Sequence, residues 1–268
     1  MHKLLFCFIF FLSLQQAVAQ NNQGAVFAGM SNASAAQKGV WSLNANPAGI
    51  SGIKSPQIAL NHAVHQLSNE LSEQNLVFAL PIGSRDFAGL SINRFGLSEY
   101  NDIKVGVGFA KKFGEALSIG LKGNFHQLSI SNYGRSASFS LDLGANYQLS
   151  KEIGIGLYLH NPTVQNYSSK TLKTQLPSSL ALGLAYEPSD KIVLSSTLVK
   201  DFDEKLDLKF GLTYHLLEVL SLRGGISAKP FQQSCGLGLK LKKFNVDMAL
   251  ANQYQLGYTP QFGLSYAF

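Results

Sequence analysis

From about residue 55 to the end of the chain, apolar residues alternate one by one with small or polar ones. The last segment shows it best. Leu256, Tyr258, Pro260, Phe262, Leu264, Tyr266 and Phe268 share one parity, and Gly257, Thr259, Gln261, Gly263, Ser265 and Ala267 share the other. Period-two alternation marks strands whose two faces meet different surroundings. Phe139, Leu141, Leu143, Ala145 and Tyr147 repeat it, as do Leu206, Leu208, Phe210, Leu212 and Tyr214. Counting such segments predicts about fourteen strands, near 55–66, 74–82, 86–97, 101–112, 116–130, 136–149, 152–161, 178–187, 190–200, 205–215, 218–228, 232–242, 244–253 and 256–268. Most run about 9–13 residues, close to the ~9–11 that a tilted membrane strand needs.

Alternation alone does not choose between a soluble sandwich and a membrane barrel. Composition does. Charged residues make up 14% of the chain, against roughly 25% in an ordinary soluble domain. Aromatics are 11%, and there are 25 glycines. After the first twenty residues no apolar run approaches the ~20 that a spanning helix needs, which excludes a helical membrane bundle. A transmembrane antiparallel β-barrel fits all three facts, and an even strand count suits it.

The connections agree. Alternate turns are predicted to be tight: Gly83-Ser84-Arg85, Phe113-Gly114-Glu115, Ser150-Lys151, Pro188-Ser189, Leu216-Leu217 and Lys243. The longest connection, Pro162 to Pro177, falls on the opposite side. Tyr147, Tyr158, Tyr186, Tyr214, Tyr258 and Tyr266 fall near strand ends, where an aromatic girdle is expected. Tyr266 and the terminal Phe268 form an aromatic ending of the kind that barrel assembly machinery reads.

Residues 1–19 read as a secretory signal: Lys3, then the apolar run Leu4 to Leu14, then Ala17-Val18-Ala19 as an A-x-A cleavage site. The formal charge is +6, and loss of Lys3 with the signal lowers it by one. The basic residues are scattered, so nucleic acid is not an expected partner. Cys7 leaves with the signal, and Cys235 is expected to be a small apolar filler.

Residues 20–54 do not alternate and are rich in Ala, Asn, Gly and Ser. A short helix near 31–38 is expected. About fourteen strands enclose a lumen too wide for their own side chains to fill, so this segment is expected to be a hatch ahead of the barrel at 55–268. Asn46-Pro47-Ala48-Gly49 suits a fixed turn, with Pro47 setting φ and Gly49 tolerating positive φ. Trp41 is the expected bulky contact between hatch and wall.

Asn46-Pro47-Ala48-Gly49-Ile50 resembles the NPAG element of the FadL-like outer-membrane transporters and their PorV/PorQ relatives. Arg94 to Asn101 and Val105 to Gly114 resemble the hairpin between the third and fourth strands of the PorV/PorQ-like proteins. The resemblance implies a fourteen-stranded barrel with an N-terminal hatch in the outer membrane of a Gram-negative bacterium. It implies either passage of small or hydrophobic solutes or an accessory role with type IX secretion components. A structural barrel that contacts outer-membrane lipid without transport is the third alternative.

No chemistry-bearing motif appears. His62 and His65 are three apart on one strand and so point to opposite faces, which spoils a metal pair. No H-E-x-x-H, G-x-S-x-G or Walker A stretch is present. No enzyme activity, metal or cofactor is expected. Gly-x-Gly at 106–108, 154–156 and 236–238 falls inside strands, as small residues that let a hatch approach. Parity sends Lys104, Lys122, Asp142, Asp207, Lys209, Arg223, Lys240 and Asp247 into the lumen, where they pair and anchor the hatch or line a weakly cationic passage. Arg94 and Lys111 have lipid-facing parity and belong near the interfaces, because a midplane cation costs ~2–4 kcal/mol. Deleting Phe268 should lower the amount of folded barrel recovered from the outer membrane, and Phe268→Tyr should lower it less. Equal recovery of all three proteins would show that the ending carries no assembly signal.

Overall fold

A computed structural model describes residues 23–65, 70–168, 173–202, 204–253 and 257–268. The expected signal at 1–19, with its cleavage site, lies outside them. So does Leu256 of the last strand.

The first seven strands are β1 (Gln57–Val64), β2 (Ser72–Pro81), β3 (Asp86–Gly96), β4 (Tyr100–Phe113), β5 (Leu117–Ile130), β6 (Gly134–Gln148) and β7 (Ile153–His160). A small hairpin follows, β8 (Asn166–Ser168) with β9 (Lys173–Gln175). The last seven are β10 (Ser179–Ser189), β11 (Ile192–Asp201), β12 (Asp207–Leu217), β13 (Leu220–Ala228), β14 (Phe231–Leu241), β15 (Phe244–Gln253) and β16 (Gly257–Ala267). β1–β7 and β10–β16 form one closed antiparallel barrel in chain order, with β7 against β10 and β1 against β16. Closure runs from Gln57 opposite Ala267 to Ala63 opposite Gln261. Every expected segment overlaps one barrel strand.

The two faces explain the pattern. Leu182, Leu184, Phe210 and Phe262 are exposed on the outside, while Ala59, Val77, Ser91, Ala110 and Thr197 are buried inside. An exposed apolar surface of this extent is unfavourable in water and suits hydrocarbon. No described helix is long and apolar enough to cross a membrane.

The tight turns share one end with the C-terminus, where Phe268 N donates to Pro56 O at 3.0 Å. The β8–β9 hairpin lies at the other end, in the connection between β7 and β10. Two side-chain placements differ from expectation. Tyr158 is buried inside, because Gly154, Gly156, Tyr158 and His160 share the inward parity of β7. Cys235 is exposed on the outer face rather than packed within.

The N-terminal segment runs inside the barrel. It holds one helical turn, α1 (Ala25–Ala28), and two 3-10 turns at Val40–Asn44 and Pro47–Gly52. No helix forms at 31–38. Ser31 and Asn32 adopt left-handed φ of 50° and 58°, which interrupts helix propagation. Trp41, Leu43 and Ile50 of this segment form one apolar cluster with Ala59, Val77, Phe87 and Ala110 of the wall.

Protein kept unheated in detergent should migrate differently from boiled protein, and its circular dichroism should be dominated by strand. Mainly helical dichroism, or solubility without detergent, would contradict the fold.

Candidate functional site in the barrel lumen

Most of the N-terminal segment lacks a regular ladder to satisfy its backbone, so the wall supplies partners. Ala25 N donates to Asn61 Oδ1 at 2.9 Å, and Ser31 N to Ser234 Oγ at 2.8 Å. Ala35 N donates to Thr197 Oγ1 at 3.3 Å, and Asn44 Nδ2 to Asn93 Oδ1 at 3.1 Å. Ser51 Oγ meets Ser118 Oγ at 2.9 Å. These contacts reach strands on all sides of the barrel.

Inward glycines set the distance of approach. A Cβ at Gly144 would lie 2.0 Å from Asn46 Oδ1, and one at Gly156 would lie 2.0 Å from Ala35 O. No other residue fits at either position without displacing the segment.

Asn46 is the best-connected residue of the segment, and it is fully buried. Its Nδ2 donates to Ala35 O at 2.6 Å and to Asn146 Oδ1 at 2.8 Å, and its Oδ1 accepts from Ala48 N at 3.1 Å. It caps the second 3-10 turn, with Pro47 at the first position, where a fixed φ is already suitable. Gly49 is not at positive φ. It is glycine because a Cβ would lie 2.4 Å from Gln37 O. Trp41 is buried and also packs within its own segment, since a Cβ on Gly24 would lie 2.5 Å from the indole ring.

The inward charges are mostly paired. Lys122 is buried and its Nζ donates to Asn44 Oδ1 at 2.9 Å, which ties wall to segment. Asp142 is a node: it accepts from His160 Nδ1 at 2.7 Å, Asn124 Nδ2 at 2.9 Å and Tyr158 Oη at 3.2 Å. Lys104 is buried on β4, two strands from Asp142. Asp207 accepts from Lys229 N at 2.8 Å and from Ser227 Oγ, and Lys209 lies 3.7 Å away. Arg223 Nη1 donates to Asp247 Oδ1 at 2.8 Å. Lys240 is exposed near the tight-turn end. On the outer face, Arg94 Nη1 donates to Gln74 Oε1 at 3.0 Å, and Lys111 pairs with Asp86 at 2.9 Å near a turn. Lys38 of the segment donates to Gln148 Oε1 at 2.5 Å. Partial desolvation lowers its pKa from the ordinary value, against an opposing effect of Glu187.

From the sequence Tyr158 was placed in the girdle and His160 was given no partner, although both share the inward parity of β7 and His160 is the register partner of Asp142. His126 Nε2 also meets Ser140 Oγ, at 2.8 Å. Among the described residues no group of His, Cys, Asp and Glu could hold a metal ion.

Two hollows lie against the barrel wall. One of about 930 Å³ lies at the tight-turn end, between the segment and the wall. The other, about 490 Å³, lies along β6. There β6 pairs with β7 only from Asp142 onward, so its residues 134–141 extend past the end of β7. The loop carrying β8 covers that edge, with Ser138 Oγ donating to Asn166 O at 3.0 Å. Outward Phe139 and Leu141 and inward Ser138 and Ser140 all border the cavity.

The closed barrel shares its fold with solved structures of FadL-family channels. The chain superposes on the CymD monoaromatic hydrocarbon channel with a TM-score of 0.70 at 15% identity, covering 91% of this chain and 97% of that one. For the P. putida toluene transporter TodX the TM-score is 0.69 at 12% identity, covering 92% and 99%. For a Pseudomonas aeruginosa FadL homologue it is 0.65 at 11% identity, covering 91% and 98%. At these identities the likeness is one of fold. No protein-family profile matches the chain, and no curated protein matches it in sequence. The type IX secretion alternative gains no support from these likenesses.

Asp142→Ala strands His160, Tyr158 and Asn124 together, and breaking such a buried pair costs about 3–5 kcal/mol. The urea midpoint in detergent should fall accordingly, with Asp142→Asn falling less. An unchanged midpoint for Asp142→Ala would show that this node adds nothing to stability.

Proposed function

We propose that this barrel sits in the outer membrane and passes small hydrophobic solutes, with residues 23–54 as its hatch. One observation carries the reading: the groove along the part of β6 that extends past β7 is bordered by side chains from both faces of that strand. A solute there touches the apolar exterior at Phe139 and Leu141 and the inner face at Ser138 and Ser140. The hydrocarbon channels named above supply the solute class by analogy of fold.

The hatch reading follows from how the segment is held. Its wall contacts are chiefly neutral side-chain hydrogen bonds, each worth about 0.5–1.5 kcal/mol net. Such bonds can be exchanged a few at a time without opening the strand ladder. The buried ties of Asn46 and the Lys122–Asn44 contact would be the last to part.

Hydrocarbons cross plain phospholipid freely, so the test belongs in cells whose outer membrane lacks other hydrocarbon channels. Initial uptake of labelled ethylbenzene should rise several-fold when this barrel is present. Uptake equal to that of the empty host would remove the reading. Deleting residues 21–45 should leave the heat-dependent migration intact and admit small sugars in liposome swelling. If the folded deletion variant excludes sugars as the parent does, the segment is not the barrier.

A further inference from the structure

Among the described residues, six tight turns join neighbouring strands at the end of the barrel that carries the C-terminus. Five hold a carboxylate or adjoin one: Asp86, Glu115, Glu152, Asp190 and Glu218. The sixth, between β14 and β15, is Lys242-Lys243, with Leu241 opposite Phe244 closing the ladder beneath it. Lys240, Lys242 and Lys243 are all exposed, and none forms an ion pair with a described carboxylate. Ala267 N donates to Lys243 O at 2.9 Å, so the last residues of the chain run beside this turn. The terminal carboxylate of Phe268 nevertheless forms no ion pair with the lysines.

Lys242 occupies a position that favours another residue. Its φ is 55°, in the left-handed region where glycine or asparagine is the ordinary choice in a two-residue hairpin turn. The turn keeps an ammonium where the backbone alone would be better served by glycine.

Aromatic side chains on the outer face lie directly beside the lysines. Phe244 and Phe268 are exposed, and Tyr266 packs against both. Phe244 of β15 stands opposite Tyr266 of β16 in the ladder. Lys243 Nζ lies 5.9 Å from the centre of the Tyr266 ring. Leu239 and Leu241 carry the apolar surface along β14. Short turns of outer-membrane barrels face the periplasm, and aromatic girdles mark the level of the headgroups. Lysine stems lie along such apolar surface and hold the ammonium at the polar boundary.

We propose that the β14–β15 corner binds an anionic phospholipid of the inner leaflet, its phosphate on Lys242 and Lys243 and its acyl chains along Phe244, Leu239 and Leu241. The corner is the one tight turn whose charge is uncompensated, and it borders the hydrocarbon. A phospholipid whose own amine offsets its phosphate has less to gain there. The site lies outside the lumen and rests on the outer-membrane placement alone, so it stands or falls without regard to solute passage.

The full-length barrel in a neutral detergent is mixed with phosphatidylglycerol or phosphatidylethanolamine of the same acyl chains, and native mass spectrometry measures the lipid retained. Phosphatidylglycerol should be retained at least several-fold more tightly. Lys242→Gln with Lys243→Gln should weaken its binding by about tenfold, the scale of two lysines beside an anionic headgroup. Lys242→Arg with Lys243→Arg should keep the preference. So should Lys151→Gln, which removes a cation beside Glu152 in another turn. Lys242→Gly with Lys243→Gln suits the turn geometry, and it decides the matter if the glutamine pair lacks the heat-dependent migration of a folded barrel. Equal retention of the two lipids would overturn the proposal. A preference that survives loss of both lysines in a folded barrel, or that falls equally in Lys151→Gln, would overturn the site. Displacement of the lipid by inorganic phosphate at equal concentration would mark a free-anion site and overturn the lipid assignment.

Discussion

Everything in this protein depends on closure of the sheet between β1 and β16. A strand edge in hydrocarbon leaves N–H and C=O groups without partners, and water is not there to take them. Pairing Gln57 to Ala63 with Ala267 to Gln261 removes both edges at once. The apolar outer parity then costs nothing, because its solvent is lipid rather than water. The last strand therefore completes a ring, and its aromatic terminus lies where that ring is sealed: Tyr266 packs on Phe244 and Phe268, with centroids 4.7 and 4.9 Å apart.

Closure creates the second problem, a lumen wider than its own side chains fill. The chain meets it with small residues on the inner parity and an N-terminal segment laid against them. Each half supplies what the other lacks. The segment has too little regular structure to satisfy its own backbone, and the wall has polar side chains that need partners. Asn46 joins the two, since it caps its own turn while bonding to β6. The glycines opposite it act through the absence of a Cβ, so they set a distance rather than a conformation.

Charge inside the barrel follows the same economy. Ions removed from bulk water need partners or they destabilise. Asp142 with His160, Arg223 with Asp247, and Lys122 with Asn44 satisfy that need in different ways. Pairing leaves little free charge to make the lumen a general ion path.

The sequence by itself determined the strands, their number, their two faces and the tight turns, because period-two alternation is a local property that each strand writes independently. Parity sent eight charged residues inward, and the break in alternation set residues 20–54 apart. The sequence misplaced Tyr158, whose position near a strand end suggested a girdle although its parity pointed inward. It put a helix at 31–38 where Ser31 and Asn32 turn left-handed to follow the wall. It assigned Gly49 to positive φ when the constraint was a carbonyl 2.4 Å from where a Cβ would stand. The partners of Asn46, the Asp142 node, the open length of β6 and the pairing of Arg223 with Asp247 were decided only by tertiary structure. Each joins residues far apart in the chain, and their distances are set by closure and by the seating of the segment, which no local pattern encodes.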